Sequence, residues 1–261
     1  MIFCSLYSGS SGNSIFVSSG HSNILIDAGL PGKRIEKALS DINKDASSID
    51  GIFITHEHTD HIKGAGVLSR KYNIPIYANA ETWNSMYNSV GKINESNIRV
   101  MDSNSVNIKD LHITNFKIPH DAADPCGYSI SQGDKRVSVA TDLGYFSDEV
   151  KDSIKDSDII LLESNHDTEM LKFGPYPYPL KRRILSNVGH LSNDACGKAI
   201  SEIVKDSHKT IILGHLSKTN NYPDLAYATV ANVLNDCGYK INKDLNLYLA
   251  KRDMPSGYIE F

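Results

Sequence analysis

The sequence predicts an α/β protein in four layers, α/β/β/α, made of two similar halves within one unit spanning residues 1–261. Three observations carry this expectation. Short apolar strands alternate with amphipathic helices through the first part of the chain, and the second part repeats that texture. No Pro/Ser-rich linker or low-complexity tract divides the two parts.

In chain order, "SLYSG" and "NSIFVSSG" read as strands around a small-residue turn, and "SNILIDAG" as a strand ending in Asp27 and Gly29. "PGKRIEKALSDI" is helical, with Pro31 early and Ile35, Ala38, Leu39 and Ile42 on one face. "DGIFIT" is a strand, "HIKGAGVLSRKY" a helix, "IPIYAN" a strand and "AETWNSMYNSV" a helix. The second part begins with strands "LHITNFKIPH", "CGYSISQG" and "KRVSVATD". "SDEVKDSI" follows as a helix and "DIILLES" as a buried strand. Segments 179–188 and 192–205 are helical, "KTIILGH" is one more buried strand, and "DLAYATVANVLNDCG" is a long helix closed by Gly238.

Composition narrows the function. Hydrophobic content of 40% and charged content of 22% are those of an ordinary globular protein. The N-terminal "MIFCSLYSGSSGNS" lacks a basic region and reads as no signal peptide, and no stretch approaches the roughly 18 apolar residues of a membrane span. A cytoplasmic protein without membrane contact is expected. Cys4, Cys126, Cys196 and Cys237 are scattered and form no CxxC pair, which fits reduced, mostly buried thiols. A net charge of −4 argues against a globally basic nucleic-acid binder but leaves room for a local basic patch.

The chemistry concentrates in "THEHTDH", residues 55–61, directly after the apolar "GIFI". Residues i and i+2 near a strand end project to one side, so His56 and His58 can converge. Asp60 and His61 follow as the chain turns into the next helix and can face a second point a few ångströms away. Neutral imidazole and carboxylate suit Zn²⁺, Mn²⁺ or Fe. A hydrogen-bonded polar turn explains one histidine better than it explains this cluster. Three later strands each end in one further candidate: "KIPH" in His120, "VSVATD" in Asp142 and "TIILGH" in His215.

With Asp27 at a strand end, His-x-His-x-Asp-His at 56–61, and then His120, Asp142 and His215 in that order, the whole chain resembles the metallo-β-lactamase superfamily. "GSSGNS", "ATDLG", "LLESNHD", "GPYPYPLKRRILSNVGHLSN" and "ILGHLSKTNN" make it most similar to the YycJ (WalJ) group of 5′-to-3′ DNA exonucleases. The resemblance implies two divalent ions per chain, Zn or Mn, with Fe a further candidate. It implies that His56, His58 and His120 hold one ion, that Asp60, His61 and His215 hold the other, and that Asp142 bridges them. Aspartate at 142, where β-lactam-hydrolysing members carry Cys, ranks antibiotic hydrolysis low. Asp27 is expected to accept a hydrogen bond from a ligand imidazole and fix its tautomer.

By the same resemblance His190 is the candidate general acid, oriented by Glu163, and Asp60 counts as catalytic as well as a ligand. For His190, capping of helix 192–205 stays open beside that role, although Ser192 and Asn193 serve equally there. Ser10, Ser11 and Asn13 of the small-residue turn, with Asn165, His166 and Lys218, are candidate substrate contacts. "KFGPYPYPLKRR" interleaves Tyr176 and Tyr178 with Lys172, Lys181, Arg182 and Arg183, which suits single-strand stacking and phosphate neutralisation as well as a solvated helix start. The segment from Asp142 to His215 is too short for a large inserted cap, and no Gly-rich arm is visible, which favours short or single-stranded ends. The expected function is a dinuclear phosphodiesterase acting on DNA ends. RNA or a small cyclic phosphate is the alternative substrate, and thioester hydrolysis of the glyoxalase II type ranks below both.

Overall fold

The computed structural model describes residues 1–101, 103–204 and 208–261. The first sheet contains strands β1 (Ile2–Tyr7), β2 (Ser14–Ser18), β3 (Asn23–Ile26), β4 (Gly51–Phe53), β5 (Ile76–Ala78) and β6 (Ile98–Val100). Its order is β14-β1-β2-β3-β4-β5-β6, where β14 is Ile259–Glu260 from the C-terminal end of the chain. Pairing is antiparallel from β14 to β3 and parallel from β3 to β6. The second sheet contains β7 (Ser105–Ile108), β8 (Leu111–Lys117), β9 (Cys126–Gln132), β10 (Lys135–Ala140), β11 (Ile159–Glu163), β12 (Lys209–Gly214) and β13 (Leu245–Leu249). It runs β13-β12-β11-β10-β9-β8-β7, parallel from β13 to β10 and antiparallel beyond. The two sheets therefore repeat one pattern, as the texture of the sequence predicts.

Side-chain alternation sets the layers. In β11, Ile159 and Leu161 enter the core between the sheets, while Ile160 and Leu162 enter the core under the outer helices. Phe3, Ile15, Val17 and Phe53 of the first sheet meet Ile113, Tyr128, Val139 and Ile212 of the second in that central core. Helices α1 (Gly32–Asp41), α3 (Ala65–Tyr72) and α4 (Ala80–Val90) cover the outside of the first sheet through Ile35, Leu39, Leu68, Trp83 and Met86, with the short α2 (Thr59–Ile62) preceding α3. Helices α5 (Asp148–Ile154), α8 (Asn193–Ile203) and α9 (Pro223–Asp236) cover the second through Val150, Ile200, Val230 and Leu234. Two short helices, α6 (Thr168–Phe173) and α7 (Tyr178–Ile184), lie between β11 and α8.

Several boundaries differ from the expectation. The helix expected over 61–72 is two helices, because the chain bends at Gly64. A Cβ there would sit 2.3 Å from the carbonyl oxygen of Leu30, so only glycine admits this approach. The helix expected over 179–188 ends at Ile184, whose carbonyl accepts from His190 N–H as the chain turns back. The helix expected over 192–205 runs Asn193–Ile203, capped by Ser192, and Lys205 lies outside the described residues. Strands β6, β7, β13 and β14 and helix α6 carry no reading in the sequence. Most are short edge elements, whose few buried residues leave little periodicity to detect. Cys4, Cys126 and Cys196 are buried free thiols, and Cys237 is exposed. Among the described residues no helix is long and apolar enough to cross a membrane.

Candidate active site

The parallel strands of both sheets deliver chemistry at their C-terminal edges, where open α/β sheets leave a crevice. Asp27 follows β3, Thr55 and His56 follow β4, Asp142 follows β10, Glu163 ends β11, and His215 follows β12. Asp27, Asp142 and His215 all have left-handed backbone, with φ of 60, 62 and 53°. Such conformations cost roughly 1–3 kcal/mol each and persist where the surroundings over-determine them. Close backbone contacts hold the 55–61 loop. Ala28 N–H donates to His61 O at 2.8 Å, and Asn13 N–H donates to Asp60 O at 2.9 Å. Gly29 packs so near that a Cβ would stand 1.6 Å from the Asp60 carbonyl oxygen.

Seven side chains gather into two sets. In the first, His58 Nδ1 lies 3.1 Å from His56 Nε2 and 3.4 Å from His120 Nε2. Burial and then neighbouring imidazoles push the His56 pKa well below its usual value, and burial lowers His120. In the second set, Asp60 Oδ2 lies 3.7 Å from His61 Nε2 and 3.8 Å from His215 Nε2. Asp142 stands between them: its Oδ2 is 3.4 Å from His61 Nε2 and its Oδ1 is 3.9 Å from His120 Nε2. Burial opposes charge on His61, but the Asp27, Asp142 and Asp60 carboxylates outweigh it and raise its pKa to about 9. His215 is raised for the same reason, with Asp142 the main carboxylate.

Supporting contacts fix the rings. Asp27 is fully buried and accepts from Thr55 N–H at 2.9 Å, from Thr55 Oγ1, and from His61 Nδ1 at 2.7 Å. Thr55 Oγ1 also lies 3.0 Å from His56 Nδ1, making this residue a hub that the sequence reading missed. Glu163, also fully buried, has one oxygen 2.7 Å from His215 Nδ1 and 2.9 Å from His190 Nδ1. Its other oxygen accepts from Leu143 N–H at 2.6 Å and Leu191 N–H at 3.1 Å. Burial opposes ionisation of Glu163, yet the His190 and then the His215 imidazole outweigh it and hold its pKa well below the usual carboxylate range.

The donor set fits metal ions. His215 Nε2 and Asp142 Oδ2 are buried and have no hydrogen-bond partner, although both point toward the other ligand atoms. Orphaned buried polar atoms of this kind are rare unless an ion or water completes them. His56, His58 and His120 bring their ligand nitrogens within 4.8 Å of one another, as do the ligand atoms of Asp60, His61 and His215. Nitrogen and carboxylate oxygen at this spacing suit Zn²⁺ or Mn²⁺.

A beta-lactamase superfamily domain matches residues 22–215 of this chain. The chain belongs to the metallo-β-lactamase superfamily. Within it, the chain is 39% identical over 255 residues to a Bacillus anthracis protein named exodeoxyribonuclease YycJ, covering 97% of each. It is 42% identical over 246 residues to the exodeoxyribonuclease WalJ of Streptococcus pneumoniae, covering 93% of this chain and 91% of that one. Among solved structures of the superfamily's fold, Zn²⁺-bound PqqB from Methylobacterium extorquens superposes with a TM-score of 0.70 at 16% identity, over 98% of this chain and 100% of that one. The short form of human tRNase Z superposes at 0.64 and 18%, over 98% of this chain and 99% of that one.

The expected substrate residues divide. Asn13 reaches the centre, with Nδ2 3.1 Å from His61 Nε2. Ser10 and Ser11 are exposed on the loop before it. Asn165 is buried and its amide donates to the His215 carbonyl at 2.9 Å, so it braces the segment that carries His215. His166 is buried, its pKa drawn down by burial to about 4, and neither ring nitrogen has a hydrogen-bond partner among the described residues. Arg183 makes a two-point ion pair with Asp121, at 2.7 Å through Nη2, and Lys181 Nζ donates to the Lys172 carbonyl. Arg182 and Lys218 are exposed. Asp121, which sequence reasoning passed over, lies 3.6 Å from His120 Nε2; its position next to a strand-end histidine was the available signal.

Proposed function

We propose that this chain is a dinuclear metal-dependent phosphodiesterase, a 5′-to-3′ exonuclease acting in the cytoplasm on DNA ends, preferably single-stranded. The substrate follows the YycJ and WalJ relatives, which are named exodeoxyribonucleases and match this chain at 39% and 42% identity over nearly its whole length. In this reading His56, His58 and His120 hold one ion, Asp60, His61 and His215 the other, and Asp142 faces both. Divalent ions held there would supply a water activated at neutral pH and positive charge to offset that on a phosphoryl oxygen.

One observation favours a phosphodiester over a thioester. His190, outside both ligand sets, stands with Nδ1 2.9 Å from Glu163 Oε1 and 3.7 Å from Asp142 Oδ1. A sugar oxygen is a poor leaving group unless protonated, whereas a thiolate leaves without help. Glu163 fixes the ring through Nδ1, which leaves Nε2 to carry the proton to the leaving oxygen. Asp60, 30% exposed where Asp142 is 3%, opens toward the solvent side and can accept the proton of the attacking water. Asn13, with the exposed Ser10 and Ser11, lines the approach for a phosphate. Lys218, Lys181 and Arg182 supply cations for the strand, and Arg183 does so while paired to Asp121.

The test is metal analysis of the purified chain followed by cleavage of 5′- and 3′-labelled strands with Mn²⁺ or Zn²⁺. About two ions per chain and stepwise loss from the 5′ end are expected. A single ion, with Asp60 and His215 turned away from it, would sink the two-metal reading; a loaded enzyme that spares DNA but cleaves thioesters would sink the choice of substrate.

A further inference from the structure

A groove of about 600 Å³ opens beside the ligand cluster, and of its lining residues only Lys218 enters the reading above. It adjoins the backbone of the segment that carries His215. Ser8, which lines it, accepts the His215 backbone N–H through Oγ at 2.8 Å, and Leu216, the next residue along from His215, lines it too. The opposite wall is the segment after β13, Lys251 to Met254.

Two kinds of side chain meet in this groove. Tyr222 is 52% exposed and Met254 55% exposed, and neither belongs to any of the three hydrophobic cores. Lys218 and Lys251 are exposed, and Arg252 is half-buried, against Asp253 as the acid in the lining. Arg252 donates through Nη2 to the Leu216 carbonyl at 2.6 Å, while its Nη1 is buried with no partner. That nitrogen packs against Gly9, where a Cβ would stand 2.7 Å away, so Arg252 braces Leu216 and adds positive charge to the wall rather than offering Nη1 to a ligand. The platform is also rigid. Asn221 Nδ2 donates to the carbonyls of Ser164 and Asn165 at 3.0 Å each, which pins the stretch carrying Lys218 and Tyr222 to the end of β11.

We propose that this groove is a nucleotide subsite. A base stacks on Tyr222 and Met254, its phosphate meets Lys218 and Lys251 with the Arg252 charge behind them, and the scissile phosphodiester lies at the metal-ligand cluster next door. The inference rests on the phosphodiesterase reading. Exposed aromatic faces stack any base, and neighbouring cations release counterions from the backbone, so the subsite grips a strand without reading its sequence. The groove sits on the His215 side of the centre, and Arg183 with Asp121 sits on the His120 side. A strand laid across the centre meets both.

The experiment compares Tyr222→Ala and Tyr222→Phe in the full, metal-loaded chain, on a single-stranded oligonucleotide and on bis-p-nitrophenyl phosphate. Tyr222→Ala is expected to lower the preference in kcat/KM for oligonucleotide over the small ester by about five- to 150-fold, mostly through KM. Tyr222→Phe keeps the ring and should restore it. Lys218→Ala with Lys251→Ala should flatten the salt dependence of oligonucleotide binding by roughly 0.7 in log–log slope per cation removed. If Tyr222→Ala leaves that preference unchanged, or if Phe is as damaging as Ala, the subsite is wrong while the phosphodiesterase reading stands. If the loaded wild-type chain cleaves neither substrate, both fall together.

Discussion

Asp27→Asn tests whether a buried carboxylate that touches no metal sets the state of a ligand. Asparagine matches aspartate in size and tolerates the left-handed backbone found there, φ 60°, so the change is electronic more than steric. The Thr55 backbone N–H, 2.9 Å from Asp27 Oδ1, is buried and fixed, so the amide oxygen must face it. The amide nitrogen then faces His61 Nδ1, where Oδ2 stood at 2.7 Å. Nδ1 must become an acceptor, and the ring proton moves to Nε2, the atom 3.7 Å from Asp60 Oδ2 and 3.4 Å from Asp142 Oδ2. A protonated nitrogen cannot ligate. Roughly a 10- to 100-fold loss of affinity for one ion, and a comparable loss of activity, is expected. Losing one charge-assisted hydrogen bond costs about 1.5–3 kcal/mol, so the metal-free chain should melt roughly 3–12 °C lower and still fold. Elemental analysis after dialysis against a graded chelator, beside kcat/KM on labelled DNA, reads both effects. A variant that binds both ions with unchanged affinity would refute the tautomer argument. Asp27→Ala, which strands three buried donors at about 1–3 kcal/mol each, should instead lose the fold around the site.

Four further outcomes are expected. His61, raised to about 9 from its ordinary 6.5, stabilises the metal-free chain fully below about pH 6.5 and loses that contribution as pH rises through about 9. Metal uptake must displace this proton, so affinity should climb about tenfold per pH unit over the same window; chelator competition giving a flat profile between pH 7 and 9 would contradict it. Asp142→Ala should lose at least one ion and nearly all activity with the circular dichroism spectrum retained, and full metal content would show that it does not face both ions. His190→Ala should slow DNA cleavage by roughly 10²–10⁴-fold but p-nitrophenyl ester hydrolysis far less, with metal content unchanged; equal losses would make His190 a positioning group. Lys181→Ala with Arg182→Ala should raise KM for DNA and flatten its salt dependence, whereas adding Arg183→Ala should also slow the small ester, because it frees the Asp121 carboxylate 3.6 Å from His120 Nε2.

Much of the fold and the clustering of the candidate ligands was legible because each signal is local. Buried strands such as "DIILLES" are continuous apolar runs, and Asp142 and His215 stand just past the ends of such runs, whereas Asp60 and His61 lie in α2 and His120 three residues beyond β8. The short edge strands β6, β7 and β14 escaped because they bury few residues. The bend at Gly64 escaped because its cause, the Leu30 carbonyl, is thirty-odd residues away in the chain.

What the sequence alone determined is therefore the layered α/β plan and the types of group at the centre, since strand periodicity and the tight spacing of "THEHTDH" need no distant information. Only the tertiary structure decided how those groups are used. It placed Thr55 and Asp27 behind His61 and set Glu163 between His190 and His215. It turned Asn165 and His166 inward, tied Arg183 to Asp121, and brought Lys218 of "ILGHLSKTNN" and Lys251 together around one groove. The reason is that hydrogen-bond pairing and desolvation act between residues far apart in sequence, and a side chain's partner exists only once the two sheets have packed.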